Sequence, residues 1–118
     1  MKARDFITEK LERKIQADRG LLSDTGLNGK NISIELSGPS GGTWNFSFDG
    51  TGQLDLKSGS PSLAADCAIQ MKDETFMGIV EGTVNVPVAF LFRKIKVKGD
   101  QGLAAKLGLA LQKNVLKA

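Results

Sequence analysis

The chain lacks the side chain that most often performs acid–base catalysis near neutral pH. There is no histidine among its 118 residues, so neither a Ser-His-Asp nor a Cys-His arrangement can form. Proton transfer would need a carboxylate, a lysine or the single cysteine, Cys67, with a strongly shifted pKa, and no motif announces one. One cysteine without histidine also excludes a Cys/His zinc site. The sequence therefore predicts no catalytic residue, no metal site, no cofactor and no enzyme activity.

Two other features that could carry chemistry have simpler interpretations. Cys67 alternates with Ala65 and Ile69, which indicates a small apolar residue on the buried face of a strand. The glycine-rich turns do not match a phosphate-binding loop, because Gly29-Lys30 is not followed by Ser or Thr, and Gly50-Thr51-Gly52 lies between two strand patterns. Nucleotide binding by either route is rejected.

Positive charge is concentrated in the last third of the chain. From Asn85 onward there are seven basic residues and one acidic residue, although the formal net charge of the whole chain is only +3. Such a segment can contact anionic lipid headgroups, acidic partners or nucleic acid, or it can be a solvated strand edge and helix face. Nucleic acid is not expected, because the only aromatic residues there are Phe90 and Phe92, with no Tyr or Trp for base stacking.

Hydrophobic periodicity predicts the elements that surround these residues. Ile7, Leu11 and Ile15 recur at every fourth position, which is typical of an amphipathic helix over residues 3–17. Apolar and polar residues then alternate in three segments separated by glycine-containing turns, and this period of two predicts an antiparallel meander. Its strands are the segments NISIELS (31–37), TWNFSFD (43–49) and QLDLK (53–57).

The second half mixes both periods. We expect a fourth strand in ADCAIQM (65–71), a helix with Asp73 as its N-cap and Gly82 at its C-terminal end, and a short helix near Pro87. The segment RKIKVKG (93–99) predicts a fifth strand whose alternate lysines protect a sheet edge. A last helix is predicted over residues 100–117. Its apolar surface is wide enough that we expect it to contact other parts of the protein on more than one side.

Length and composition predict one domain spanning residues 1–118. An apolar share of 41% suffices for one compact core. No run of eighteen apolar residues exists, and the charged start is unlike a signal peptide, so we expect a soluble protein that is not secreted. A lone cysteine fits a reducing compartment.

Several short segments occur in the order and spacing of a known family. They are the Asp66-Cys67 strand start, the step from Met71 to Asp73 and Phe76, the helix-ending Gly82, the pair Ala89-Phe90, the run KIKVKGD (94–100) and the run LAAKL (103–107). In these features the chain resembles the sterol carrier protein 2 family. The Trp44-bearing strand and the turn Asp49-Gly50-Thr51-Gly52 agree less specifically, and together the features cover nearly the whole chain.

The resemblance implies an α+β fold with a five-stranded, mainly antiparallel sheet, helices over one face, and an apolar lipid tunnel between them. It makes large apolar residues facing that space the candidates for lining the tunnel, although ordinary core packing explains each of them as well. These candidates are Trp44, Phe46, Ile69, Met71, Phe76, Met77, Val80, Phe90, Leu103, Leu107 and Leu111. Arg13 and Arg19, near the end of the first helix, are candidates for binding a fatty acid headgroup, or are plain surface residues.

The function that the resemblance implies is intracellular lipid binding and transfer, with a fatty acid, fatty acyl-CoA or sterol as ligand and transient contact with anionic membranes. The alternative is a non-catalytic accessory or dimerisation domain that presents a lipid-like substrate to a partner enzyme. The chain ends in Leu116-Lys117-Ala118 rather than in a peroxisomal tripeptide similar to Ser-Lys-Leu. We therefore expect a cytoplasmic protein.

Overall fold

The computed structural model describes residues 2–20, 26–59 and 65–115, with side chains described as far as residue 111. Helices and strands follow one another in the predicted order. They are α1 (residues 3–17), β1 (Asn31–Ser37), β2 (Gly42–Phe48), β3 (Leu54–Ser58), β4 (Cys67–Lys72), α2 (Asp73–Glu81), α3 (Val86–Leu91), β5 (Ile95–Gly99) and α4 (Gln101–Val115). The last two residues of the predicted C-terminal helix, 116 and 117, lie outside the described residues.

The five strands form one mixed sheet in the order β3-β2-β1-β4-β5. Three neighbouring pairs are antiparallel, which confirms the predicted mainly antiparallel sheet. The central pair, β1 with β4, is parallel, and the sequence did not predict this. In its register Ile34 lies beside Ile69 and Leu36 lies beside Met71. This pairing joins the N-terminal meander to the C-terminal half of the chain.

The two faces of the sheet differ in polarity as the period of two requires. Apolar side chains such as Ile34 and Phe46 are buried on the face covered by helices. The opposite face carries polar side chains that bond across strands. There the Ser33 hydroxyl donates to Asn45 Oδ1 at 2.6 Å, and the exposed Gln70 amide donates to a Glu35 carboxylate oxygen at 2.9 Å.

Helix α1 is confirmed over its predicted length, but its hydrogen bonding changes along it. Residues Phe6–Leu11 form a π-helical stretch between two α-helical segments, and the Glu12 N–H donates to the Ile7 carbonyl, five residues back. The rings of Phe6 and Phe76 lie 6.1 Å apart at 58°. This contact packs α1 against α2.

The ends of the later helices follow from particular residues. Gly82 ends α2 in the left-handed conformation (φ 80°), as predicted. The Asn85 side chain accepts a bond from the Val88 N–H at 3.1 Å, and thereby caps α3. Asp73 is not the N-cap residue that the sequence predicted but the first residue of α2, after Lys72. Its buried carboxylate accepts from the Ser40 N–H at 2.9 Å.

Among the described residues, no helix combines the length and apolarity needed to cross a membrane. The buried apolar residues instead form one continuous cluster between the sheet and the helices.

A matched pair of substitutions tests this assignment of the core. Phe46 is 0% exposed and Phe92 is 69% exposed. Phe46→Ala should lower the free energy of unfolding by about 3–5 kcal/mol, because it removes buried apolar area and leaves a cavity. Phe92→Ala should change it by less than about 0.5 kcal/mol. Urea denaturation measures both, and equal effects would contradict the assignment.

Candidate functional site

An apolar cavity lies between the inner face of the sheet and helices α2, α3 and α4. The strands β1, β4 and β5 supply its floor and the three helices supply its walls. The lining residues are Ile34, Ile69, Met71, Phe76, Ile79, Val86, Phe90, Ile95, Ala104, Leu107, Gly108 and Leu111. All of these described residues are apolar, so together they offer a ligand shape and apolar area but no side-chain hydrogen bond.

The volume of this cavity is about 20 Å³, which is room for about one water molecule. Pockets that hold drug-sized ligands measure roughly 300–1,000 Å³. The cavity is therefore not an open lipid tunnel in this conformation, and a long acyl chain would fit only after the surrounding helices had moved apart.

Six of the eleven predicted lining residues surround the cavity, and the other five do not. Those that line it are Ile69, Met71, Phe76, Phe90, Leu107 and Leu111. Those outside the lining, all buried in the same core, are Trp44, Phe46, Met77, Val80 and Leu103. For every one of the eleven, contact with a ligand stays a prediction.

Trp44 shows why residue type alone did not locate the cavity. Its ring lies beside Gly42, the first residue of β2: a Cβ on Gly42 would lie 2.9 Å from Trp44 Cη2. Within the described residues, the buried indole Nε1 has no hydrogen-bond acceptor. A buried tryptophan on the inner face of β2 is thus a core residue and not a wall of the cavity.

Half of the described lining residues were not predicted from the sequence: Ile34, Ile79, Val86, Ile95, Ala104 and Gly108. Only Gly108 carried a usable pattern, because a glycine inside a helix is unfavourable unless another element packs closely there. A Cβ at Gly108 would lie 3.3 Å from Val86 Cγ2. This close approach of α4 to α3 closes one side of the cavity.

Neither arginine proposed for the headgroup lines the cavity. Arg13 is exposed on α1. The Arg19 guanidinium lies 3.8 Å from the Asp55 carboxylate of β3, with both side chains about half exposed. Their placement gives no geometric support for headgroup binding, which stays a prediction.

Basic residues instead surround an open groove at the end of the sheet, beside the apolar cavity. The groove has a volume of about 830 Å³ and takes in the ends of β1 and β4, the start of α2 and the α3–β5 turn. Its cations are Lys72, Arg93, Lys94 and Lys96, and its carboxylates are Glu35 and Glu74. Met71 lines both the groove and the cavity. Met71 is therefore the point at which the charged groove and the apolar cavity meet.

Cys67 lies buried at the start of β4, as its alternation predicts. The pKa of its thiol is raised to about 11, chiefly by burial and to a smaller extent by the carboxylates of Asp100 and Asp66, while a hydrogen bond with the Ala104 backbone acts in the opposite direction. A thiol with so high a pKa is a weak nucleophile near neutral pH. Among the described residues, no three acidic or cysteine side chains cluster as metal ligands.

The chain matches the sequence model of the SCP-2 sterol transfer family over residues 9–112. It belongs to this family. It is 26% identical over 114 residues to "Non-specific lipid-transfer protein-like 1" of Caenorhabditis elegans, a match that spans 97% of this chain and 94% of the relative. It is similar in fold to palmitated SCP2L2 from Aedes aegypti, with a TM-score of 0.64, 21% identity, and coverage of 91% of this chain and 92% of that one.

Part of the chain also matches a much longer protein. It is 38% identical over 81 residues to human "Hydroxysteroid dehydrogenase-like protein 2", a match that covers 63% of this chain and 18% of the relative. The chain spans only about a fifth of that protein, so the match concerns one part of it. Taken together, the family and the lipid-transfer relative support a lipid-binding or transfer role for this chain.

The pKa of Cys67 yields a test of its buried position in the SCP-2 fold. The folded pKa of about 11 lies above the ordinary value of 9.0, so the folded chain retains a proton that the unfolded chain releases. The resulting stabilisation is complete below pH 9 and is lost as the pH rises from about 9 to about 11.

In that pH interval the wild type should lose about 2–3 kcal/mol more free energy of unfolding than Cys67→Ala. Guanidinium denaturation at successive pH values measures this difference between the two proteins. Parallel pH profiles would contradict a buried, neutral thiol.

Proposed function

We propose that this chain is a non-catalytic lipid carrier, which holds the apolar part of a fatty acid, fatty acyl-CoA or sterol between its sheet and helices. The observation that carries the proposal is the all-apolar lining of the cavity in a chain of the SCP-2 family. Such a lining stabilises a bound chain by about 25 cal/mol per Å² of apolar surface removed from water. It is poorly suited to catalysis, because none of the described residues that line the cavity has a polar side chain.

The ligand would enter by separating helices and not strands. The walls formed by α3 and α4 meet the floor through apolar contacts, which an acyl chain can replace with equivalent contacts. The strands are held by backbone hydrogen bonds, which a lipid cannot replace. The palmitated state of the Aedes protein supports a single acyl chain as one occupant of this fold.

Exchange with membranes completes the proposed carrier function. The basic residues of the C-terminal third would bring the carrier to anionic bilayers, where the ligand is taken up and released. As part of the same proposal we place the carrier in the cytoplasm, where a single unpaired cysteine stays reduced.

Native mass spectrometry of protein purified without added ligand tests the carrier function most directly. Organic extraction then identifies what was bound. We expect a stoichiometric fatty acid, fatty acyl-CoA or sterol. Protein that is consistently empty, and that also fails to bind a fluorescent fatty acid, would contradict the proposal.

A matched pair of substitutions on α4 tests whether the ligand occupies this cavity. Ala104 and Ala110 are both 4% exposed, but only Ala104 is among the residues that line it. Ala104→Leu should weaken fluorescent fatty acid binding by at least about tenfold, because the added methyl groups fill the ligand's space. Ala110→Leu overpacks the same helix elsewhere and should leave the affinity within about twofold of wild type. Equal losses in the two variants, at similar thermal stability, would place the ligand elsewhere.

A second function follows from the long human relative, of which this chain matches only one part. In this alternative the chain is an accessory or dimerisation domain that presents a lipid-like substrate to a partner enzyme. The discriminating observation is the full reading frame and its neighbours. A fused or adjacent dehydrogenase, thiolase or sulfatase would favour the accessory function over free transfer.

A further inference from the structure

The turn between α3 and β5 carries the most exposed large apolar side chains of the described residues. Leu91 is 78% exposed and Phe92 is 69% exposed, and Val88 of α3 is 47% exposed. Only Leu109, on α4, is otherwise exposed to a comparable degree among those residues. Burying Leu91 and Phe92 would remove unfavourable apolar surface from water, so the turn is suited to contact an apolar medium.

Cations border the same turn. Arg93 and Lys94 follow Phe92 directly, and Lys72 and Lys96 lie with them along the groove at the end of the sheet. Glu35 and Glu74 also line this groove, so the four cations outnumber the carboxylates by two. Two apolar side chains beside a cluster of cations form the combination by which proteins bind the interface of an anionic bilayer.

The backbone at Arg93 adds an independent observation. It is the only non-glycine residue with positive φ (58°) in the described part of the chain. The Lys94 N–H donates to the Ala89 carbonyl at 2.9 Å and the Arg93 N–H donates to the Phe90 carbonyl at 3.1 Å, which is the helix-ending motif in which glycine is favoured at the left-handed position. An arginine here costs conformational energy that a glycine would not. Backbone stability therefore does not explain why an arginine occupies this position.

We propose that the turn of residues 91–94 docks on an anionic lipid bilayer, with Leu91 and Phe92 entering the interface and the cations of the groove contacting lipid phosphates. The turn continues α3, whose Val86 and Phe90 line the apolar cavity. Docking there would bring the bilayer to the side of the cavity that α3 forms. The inference extends the proposed carrier function, but bilayer binding is a property of the surface and needs no ligand in the cavity.

A bilayer fits this surface better than a protein does. A stable protein interface buries about 800 Å² on each partner, whereas the apolar part here consists of three side chains at the end of one short helix. The neighbouring cations call for a partner with dense negative charge, which the headgroups of anionic lipids supply.

The test is flotation with vesicles made of equal parts phosphatidylcholine and phosphatidylglycerol, and with vesicles of phosphatidylcholine alone, at low salt. The wild type should bind the anionic vesicles and bind the neutral ones much more weakly. Arg93→Gly should reduce binding to anionic vesicles by roughly fivefold, the effect of one charge near the surface. Its melting temperature should be equal to or above that of the wild type, because glycine relieves the backbone.

The double variant L91S/F92S tests the apolar contribution and should weaken vesicle binding by at least about tenfold. Lys57→Gln is the matched charge control, because Lys57 lies on β3, at the opposite edge of the sheet from β5. It should bind vesicles like the wild type. Added salt should reduce binding of the wild type more steeply than binding of Arg93→Gly.

If Arg93→Gly and L91S/F92S both bind anionic vesicles as well as the wild type does, the proposed docking surface is wrong. A dimer of the wild type that L91S/F92S dissociates would also overturn it, because a second copy would then cover the patch. Fluorescent fatty acid binding in vesicle-free solution separates this proposal from the carrier function. If the variants lose vesicle binding and keep fatty acid binding, both proposals stand. If the wild type binds vesicles through this turn but never binds fatty acid, only the carrier function fails.

Discussion

Strand β4 is fixed beside β1 at both ends by aspartates, and the rest of the fold depends on this attachment. Before the strand, the Asp66 carboxylate accepts from the Asn31 N–H at 2.8 Å, and the Asp66 N–H donates to the Asn31 carbonyl at 2.8 Å. After the strand, the Asp73 carboxylate accepts from the Ser40 N–H at 2.9 Å. A Cβ at Gly38 would lie 2.5 Å from Asp73 Oδ1, so only glycine permits this approach. The two attachments hold together the halves of the chain that form the floor of the cavity.

Most of the fold could be predicted because its elements are encoded locally. The alternation of apolar and polar residues identified each strand. Gly82 identified the end of α2, because glycine readily adopts the left-handed conformation that ends a helix. The parallel pairing of β1 with β4 could not be predicted in the same way, because it joins segments some 35 residues apart, as between Ile34 and Ile69. Its polar attachments also use residues that local rules assign elsewhere. Aspartate is a residue type that favours helix N-caps, so local rules assign Asp73 to that role. Its hydrogen bond with the Ser40 N–H joins residues 33 positions apart, and no local sequence pattern predicts it.

The cavity was predictable only in part for a related physical reason. Periodicity shows which face of an element is buried, but it does not distinguish a side chain that fills the core from one that borders a space. Phe46 and Ile69 have the same pattern, yet only Ile69 lines the cavity. Arg93 was equally hidden, because its left-handed backbone is a consequence of how α3 ends and β5 begins. The cavity lining and the conformation of Arg93 both depend on how the helices pack on the sheet. The type of a single residue does not determine that packing.

The small volume of the cavity agrees with the energetic cost of a large dry space inside a protein. A dry cavity large enough for an acyl chain would forfeit contacts at about 24 cal/mol per Å³, which for several hundred Å³ approaches the whole stability of a domain. Helix–helix contacts fill this space instead, and the close approach of Gly108 to Val86 is one of them. In the proposed carrier function, opening would exchange helix–helix contacts for helix–lipid contacts of similar energy. The hydrogen-bonded sheet and its aspartate attachments would not have to change, so a ligand could enter without loss of the fold.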